Sequence, residues 1–330
     1  MKIAVIGAGM AGLAAARNLQ QNQMEVVVFE KSRGVGGRVA TRRHEGFTWD
    51  TGATSITPRG KLIEDLMLHQ LDTSELVQIS LPIYTHIGLR VSPGDTRRAT
   101  LRYTYRTGNS ALPKLLENGL NIRLETQVDA IEADGKGYRV LEEYYDGVVL
   151  TPPVPQTSAL LWSLGESRAL AGAKYRACLS VLLGFASELP ATPYYSLLDS
   201  DQRHPLTWLS LESRKSPDRA PEGHSALCAQ LNREFTQTYY EAPDAELVRT
   251  VSGYVERLYG PSFAVPVASS VMRWKYSQPE TTANFENVNP AGSTLVIASD
   301  GILGGHVEDA YEVGVKAAMI LTASLAARTF

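Results

Sequence analysis

The stretch from Lys2 to Lys31 constrains everything that follows it. It reads KIAVIGAGMAGLAAARNLQQNQMEVVVFEK: a short apolar β-branched run, a glycine turn, a segment rich in Ala and Leu, and a second apolar run. Ile3–Ile6 has the composition of a buried strand, Leu13–Gln20 favours helix, and Met24–Phe29 is apolar except at Glu25. Between the first strand and the helix, Gly7, Gly9 and Gly12 hold the Gly-x-Gly-x-x-Gly spacing, with Met10 and Ala11 inside it. In such a turn the first glycine permits the tight bend and the second lets the backbone approach a pyrophosphate. The third lets helix and strand pack closely, and the helix N-terminus offers free N–H groups to the phosphates. Glu30 stands 18 residues past Gly12, near the spacing at which a carboxylate meets the ribose hydroxyls of a dinucleotide. Three glycines in the apolar core and a polar turn at Arg17-Asn18 argue against a secretory signal.

A chain of 330 residues, 44% hydrophobic and 20% charged, holds one large globular domain or two ordinary ones. A formal net charge of -3 points to neither nucleic acid nor an anionic membrane as partner. The longest apolar run, Ala310–Ala327, is interrupted by Glu312 and Lys316. Cys178 and Cys228 lie far apart in apolar runs and read as buried thiols of a reducing, cytoplasmic compartment. The six histidines are scattered, without His-Glu-x-x-His or Cys-x-x-Cys, so no metal site is expected.

Further along, Ser32-Arg33-Gly34-Val35-Gly36-Gly37-Arg38 forms a second glycine-rich loop directly after Glu30. Phe47–Ala53 reads as a strand running into an Asp-x-Gly-Ala turn. Ile83–Arg90 and Thr100–Arg106 read as antiparallel strands joined through Pro93-Gly94-Asp95. Gly108–Pro113 opens a helix to Glu117. It is no serine nucleophile elbow, because Leu112 stands where that motif needs glycine. Asn121–Val128 reads as a strand, and Gly147–Leu150 as another that is stopped after Thr151 by Pro152-Pro153. From Val154 to about Val265 helices mix with strands at 178–186, 206–211 and 225–232. The helix Asp244–Tyr259 there carries Leu247, Val248, Val251, Tyr254, Val255 and Leu258 on one face. Arg214-Lys215-Ser216-Pro217 reads as a solvated basic turn. Val271–Tyr276 alternates as a strand, and Leu295–Ser299 is a buried strand ending in Asp300-Gly301. Gly304-Gly305-His306 then opens a helix at Val307-Glu308-Asp309.

Taken in order, these segments resemble the flavoprotein family that includes amine oxidases, protoporphyrinogen oxidase and renalase. The resemblance implies an α/β fold: a Rossmann-type, three-layer FAD-binding domain with a parallel sheet, and a second α+β substrate domain with a mixed sheet. The first domain would take residues 1–57, 100–155 and 266–330, the second 58–99 and 156–265. It also implies non-covalent FAD, held by the first glycine turn and Glu30, with Lys31, Gly37 and Arg38 beside the pyrophosphate and ribitol. Ala53 and Thr54 would pass the flavin ring, the backbone of Val128 would meet adenine, and Thr151 would end the strand that leaves the cofactor. Asp300 would bind ribitol or phosphate, and the helix starting after Gly305 at Val307 would point at the pyrimidine side of the ring.

The pattern is most similar to the bacterial renalase-like branch, on Lys31–Gly34 with Gly36-Gly37-Arg38, Thr151-Pro152 with Pro155-Gln156, Arg273-Trp274 with Tyr276 and Pro279, and Gly305 with Val307-Glu308. That branch oxidises misreduced dihydronicotinamide dinucleotides, and oxygen reoxidises the flavin. The partners implied are therefore a small reduced substrate and oxygen, and the protein itself is expected as monomer or homodimer. Hydride transfer from a dihydropyridine yields an aromatic ring directly and needs no catalytic base. Three positions depart from the branch. Met272 stands for a histidine, Ser299 and Gly301 flank Asp300 in place of glycine and tryptophan, and His306 replaces an arginine. Trp274, Tyr276 and His306 are the candidate reactive-site side chains, His306 as the titratable group near the ring. An amine oxidase, with Trp274, Tyr276, Tyr194 or Trp208 as an aromatic cage, a desaturase of a lipid-like ring, and a flavin-binding protein without turnover stay open as alternatives.

Overall fold

The structure, a computed structural model, describes residues 1–94, 100–201 and 203–328. Five short strands form a parallel sheet in the order Leu295–Ile297, Gly147–Leu150, Lys2–Ile6, Glu25–Phe29, Asn121–Arg123. Apart from the edge strand Asn121–Arg123, which is partly exposed, they carry buried runs rich in Val, Ile and Leu, as a sheet covered on both faces requires. The first strand pairs with a strand more than 140 residues away, register Ile3 to Gly147, so the sheet draws both ends of the chain to one place. Helix Met10–Gln21 packs on it beside the C-terminal helix Val307–Ala326. The approach is close enough that a Cβ on Gly314 would stand 2.1 Å from the Ala11 carbonyl oxygen. An antiparallel meander, Ile131–Asp134, Gly137–Val140 and Glu143–Tyr145, packs on the strands Lys2–Ile6 and Gly147–Leu150.

A second, mixed sheet has seven strands. Their order is Ala268–Thr281, Lys174–Phe185, Ser225–Leu231, Leu206–Leu211, Ser196–Asp199, Ile83–Ile87, Arg90–Pro93, antiparallel except where Ser196–Asp199 meets Ile83–Ile87. Helix Asp244–Tyr259 covers it with Leu247, Val251 and Val255, while Val248, Tyr254 and Leu258 pack at the margin of the same cluster. The hairpin Thr41–His44 and Phe47–Asp50 links the two sheets. Trp49 donates its indole N–H to the Leu183 carbonyl at 3.1 Å, and the Phe47 ring lies where a side chain on Gly184 would be.

Several sequence expectations need correction. Ile83–Ile87 does not pair with the segment near 100. It turns back on Arg90–Pro93 through Gly88 at φ +58°, whereas Tyr103–Tyr105 pairs with Leu76–Gln78 and borders Ile56. Asp95, expected in the joining turn, lies outside the described residues. The strand from Asn121 stops at Arg123, because Glu125 takes a left-handed φ of 51° that ends strand geometry before Val128. The C-terminal strand ends at Ile297, two residues early, and Ser196–Asp199 is a strand with no expectation attached to it.

The close helix pair makes a test. Gly314→Val should lower stability by about 1–3 kcal/mol, because backbone cannot retreat as a flexible side chain would. Denaturant unfolding of the FAD-free protein measures it, and an unchanged midpoint would contradict the contact.

Candidate active site

A single cleft of about 1540 Å³ runs between the two sheets, and it collects nearly all of the candidate residues. Gly7, Gly9, Met10, Ala11, Glu30, Lys31, Gly37, Arg38, Ala53, Thr54, Val128, Thr151, Trp274, Tyr276, Asp300, Gly305, His306 and Val307 all line it. Gly12 does not. It lies beneath the turn, where a Cβ would stand 1.9 Å from the Gly7 carbonyl oxygen, which is the close helix–strand contact assigned to the third glycine. Gly7 bends at φ +101° against Thr151, whose hydroxyl donates to the carbonyls of Ile6 at 2.8 Å and Gly7 at 3.2 Å.

The room left at Gly9 tests whether a pyrophosphate fits. No protein atom lies within 4 Å of where its Cβ would be, although the residue lines the cleft. No side chain caps the helix that begins at Met10, so its first N–H groups are left for a ligand. The second glycine loop is bonded onto this cradle: Gly36 N–H donates to the Ala8 carbonyl at 2.8 Å, and Gly9 bridges Gly36. Buried Glu30 accepts from the N–H of Ala8 at 2.8 Å and of Ser32 at 2.8 Å, so each oxygen keeps a lone pair for a ribose hydroxyl. Among the described residues the backbone of Val128 has no hydrogen-bonding partner, which leaves its N–H and C=O open to the cleft.

Arg38 joins the N-terminal loop to the C-terminal strand. Its guanidinium lies 2.5 Å from the Asp300 carboxylate and 3.2 Å from the Tyr276 carbonyl. Asp300 also accepts from the Tyr175 hydroxyl at 2.6 Å; burial first, and then that carboxylate, push the Tyr175 phenol up to about 12. With the Ser299 hydroxyl at 3.3 Å, Asp300 is thus committed to three protein donors, and only its remaining lone pairs are left for a ligand. Gly305 and His306 lead into the C-terminal helix. The His306 imidazole is half exposed, with Nδ1 2.8 Å from Asp309 and Nε2 3.2 Å from Arg59, so it caps the helix at the rim.

Below the cleft lies a group that the sequence did not disclose. Asp50, Glu212, Lys215 and Arg219 meet with no side-chain exposure at all. Lys215 Nζ is 3.0 Å from Asp50, 2.7 Å from Glu212 and 2.6 Å from the Thr54 carbonyl. Arg219 donates to Asp50 at 2.9 Å, Thr104 at 2.7 Å and the Tyr105 carbonyl at 2.8 Å. Lys215 is therefore no solvated turn residue; its neighbour Arg214 is the one that remains near the surface. Burial alone would raise the Asp50 carboxyl, but Lys215 and Arg219, with the Arg219 and Asn109 hydrogen bonds, bring it down to about 2. Burial dominates at Glu212 and raises it.

The wall opposite the glycine cradle comes from the seven-stranded sheet. Trp208, Trp274 and Tyr276 line it with Cys178, Met272 and Gln230. Trp274 donates its indole N–H to the Thr51 carbonyl at 3.0 Å, and Tyr276 meets Tyr175 edge-on at 5.8 Å. Tyr194 is not part of this wall. It packs on Tyr84 in the core cluster on the helix-covered side of the sheet and meets the Tyr259 hydroxyl at 3.4 Å. Both cysteines are free thiols, and burial raises each.

Glu30→Ala removes the acceptor that holds the loop and is left open to the ribose. FAD should bind about ten- to a hundredfold more weakly, as for the loss of hydrogen bonds to a charged group. Fluorescence titration of the apoprotein reads the change, and wild-type affinity would exclude this role for Glu30.

Known proteins match the whole of this arrangement. The sequence pattern of the family described as flavin containing amine oxidoreductase matches residues 10–101 and 75–322. A 4,4'-diapophytoene desaturase of Staphylococcus aureus (strain Newman) is 52% identical over 56 residues, 17% of this chain and 11% of the desaturase; the match thus spans about a tenth of that relative. Among solved structures, a protein assigned as a protoporphyrinogen oxidase from Exiguobacterium sp. 255-15 superposes with TM-score 0.79 at 18% identity, over 98% of this chain and 99% of that one. Cyclohexylamine oxidase from Brevibacterium oxydans IH-35A gives 0.74 at 14% identity, over 100% and 99%. These likenesses show a shared fold. Because the family match spans most of the chain, the protein belongs to the flavin-containing amine oxidoreductase family and is an FAD-dependent oxidoreductase.

Proposed function

We propose that the protein takes a hydride from a reduced nicotinamide dinucleotide isomer, in the manner of renalase, with oxygen as the terminal acceptor. The charge of the substrate-side wall carries this reading. Arg176, Arg233 and Lys275, in or beside the strands of the seven-stranded sheet, line it, and among the described residues lining the cleft the only carboxylates are Glu30, Asp129 and Asp300. Of these, Glu30 and Asp300 are held in the cofactor loops, and Asp129 follows Val128 at the base end. Arg233 is shared with Glu280 at 2.8 Å, and Arg176 reaches only the neutral Gln278. Such a wall attracts a pyrophosphate and repels a protonated amine.

Size supports the same reading. At about 1540 Å³ the cleft exceeds the roughly 300–1,000 Å³ of a pocket built for one small ligand, so a second sizeable molecule fits beside the cofactor. FAD, held by the glycine cradle, Glu30 and Arg38, supplies the hydride acceptor. The chain's own task is orientation. Trp274 is fixed by Thr51 and Tyr276 by Tyr175, giving flat apolar surfaces for a ring to lie against. No proton has to leave the donor carbon, which suits a wall without an acid–base pair.

Anaerobic mixing of the holoprotein with dihydronicotinamide isomers, NADPH and a set of primary amines, followed by flavin absorbance, separates the choices. Bleaching by a dihydronicotinamide isomer alone is expected. Bleaching by amines, with peroxide on admission of air, would favour the amine oxidase reading instead. Arg176→Glu combined with Lys275→Glu should raise KM for the dinucleotide about tenfold or more with little change in kcat, since both side chains touch only the distal charge.

A further inference from the structure

Four consecutive carbonyls beside the cleft are held by side chains. Thr51 C=O accepts from Ser180 at 2.8 Å and from Trp274 at 3.0 Å, and Gly52 C=O accepts from Gln230 at 2.8 Å. Ala53 C=O accepts from Asn109 at 2.8 Å, and Thr54 C=O accepts from Lys215 at 2.6 Å. A trans peptide is planar, so fixing a carbonyl also fixes the next N–H in the opposite direction. The N–H of Ala53 spends itself on the Arg38 carbonyl at 3.0 Å. Among the described residues nothing accepts from the N–H groups of Gly52, Thr54 or Ser55, and all three residues line the cleft. Backbone donors left unpaired in a cleft of this kind call for a ligand acceptor.

We infer that Lys215 is a positioning residue: with Asp50, Glu212, Arg219 and the attached Asn109, it sets the peptide planes at 53–54 and 54–55 so that the N–H groups of Thr54 and Ser55 stand as donors for the polar edge of the flavin ring, beside that of Gly52, whose plane Ser180 and Trp274 hold. The network is built for the task. Asp50 receives Thr41 and Asn109 on one oxygen, each at 2.8 Å, and the two buried cations on the other. The same Asn109 that is tied to Asp50 grips Ala53, and Lys215 reaches past Asp50 to Thr54. One salt-bridged cluster thus governs the two peptide planes at 53–54 and 54–55. Donors aimed at a ring strengthen as the ring gains electrons, so their placement favours the reduced cofactor.

Two measurements test this, and neither needs the natural substrate. Hydrogen exchange of the wild-type protein, with and without FAD, should show the amides of Gly52, Thr54 and Ser55 slowed about tenfold or more by the cofactor. Unchanged exchange at Thr54 and Ser55 would overturn the inference. The double variant Lys215→Met/Glu212→Gln removes one buried cation with one buried anion and keeps the Asp50–Arg219 pair. It should bind FAD stoichiometrically, yet show a more negative flavin midpoint potential and altered fine structure in the visible band. A loaded double variant with the wild-type potential and spectrum would leave Lys215 with a structural role only. The exchange experiment uses no variant, so it can overturn the inference even where the double variant does not fold, and the milder variant Lys215→Arg, with its shifted potential and spectrum, then carries the role of Lys215.

Discussion

The carboxylate of Asp50 is where the two sheets of this protein are tied together. It ends the strand Phe47–Asp50, and its partners come from the hairpin, from the helix start at Asn109 and from the seven-stranded sheet's connections at Lys215 and Arg219. Removing four charged groups from water is costly, and a cluster of two acids with two bases offsets that cost only when every partner is in place. Loss of any one leaves a buried charge uncompensated, at a penalty of about 3–5 kcal/mol. An apolar plug of equal volume would hold the sheets together at least as well. What it would not do is fix directions, and the loop between Asp50 and Ser55 needs its peptide planes fixed.

How much of this could be read from the residues alone follows from the range of the interactions. The cradle from Gly7 to Glu30 is encoded within one short stretch, and its strand, turn, helix and terminal acid each carry a local signal. The C-terminal strand and helix were legible for the same reason. Lys215 was not, because its immediate neighbours, Arg214, Ser216 and Pro217, are those of a surface turn, while the groups that bury it lie at Asp50 and Glu212. Nothing in a single sequence reports that two acids and two bases, spread from 50 to 219, share one dry site. The pairing of Ile83–Ile87 failed similarly. Two alternating runs close in sequence resemble a hairpin, but the strand partner of Tyr103–Tyr105 precedes both of them.

The cleft divides its work between backbone and side chains. On the side of the glycine turn, among the described residues, the groups left open to the cleft are mostly backbone: the N-terminus of the helix at Met10, the groups of Val128 and the N–H groups near Gly52. Backbone donors have little freedom to reorganise, which suits a cofactor that stays while substrates come and go. The opposite wall offers aromatic faces and long cationic side chains, which adapt at low cost to what enters. The departures at Met272 and His306 fall on that wall and at the rim, away from the glycine turn at Gly7–Gly12.

A cationic wall and a missing base belong to one chemical logic. An enzyme that oxidises an amine must accept a substrate that is protonated in water and bring it into the cleft as the neutral form, so cations near the entrance oppose it twice, by repulsion and by raising the cost of carrying the charged form inward. A reduced dinucleotide meets neither obstacle. On the proposed reading its charge sits on phosphates that Arg176 and Lys275 would attract, and its hydride leaves from a neutral ring whose product gains aromaticity. The same wall that steers such a donor inward would then face a cationic pyridinium once the hydride has gone. On the proposed reading Arg176 and Lys275 would hold the phosphates away from that ring, and their grip would set how long the product lingers.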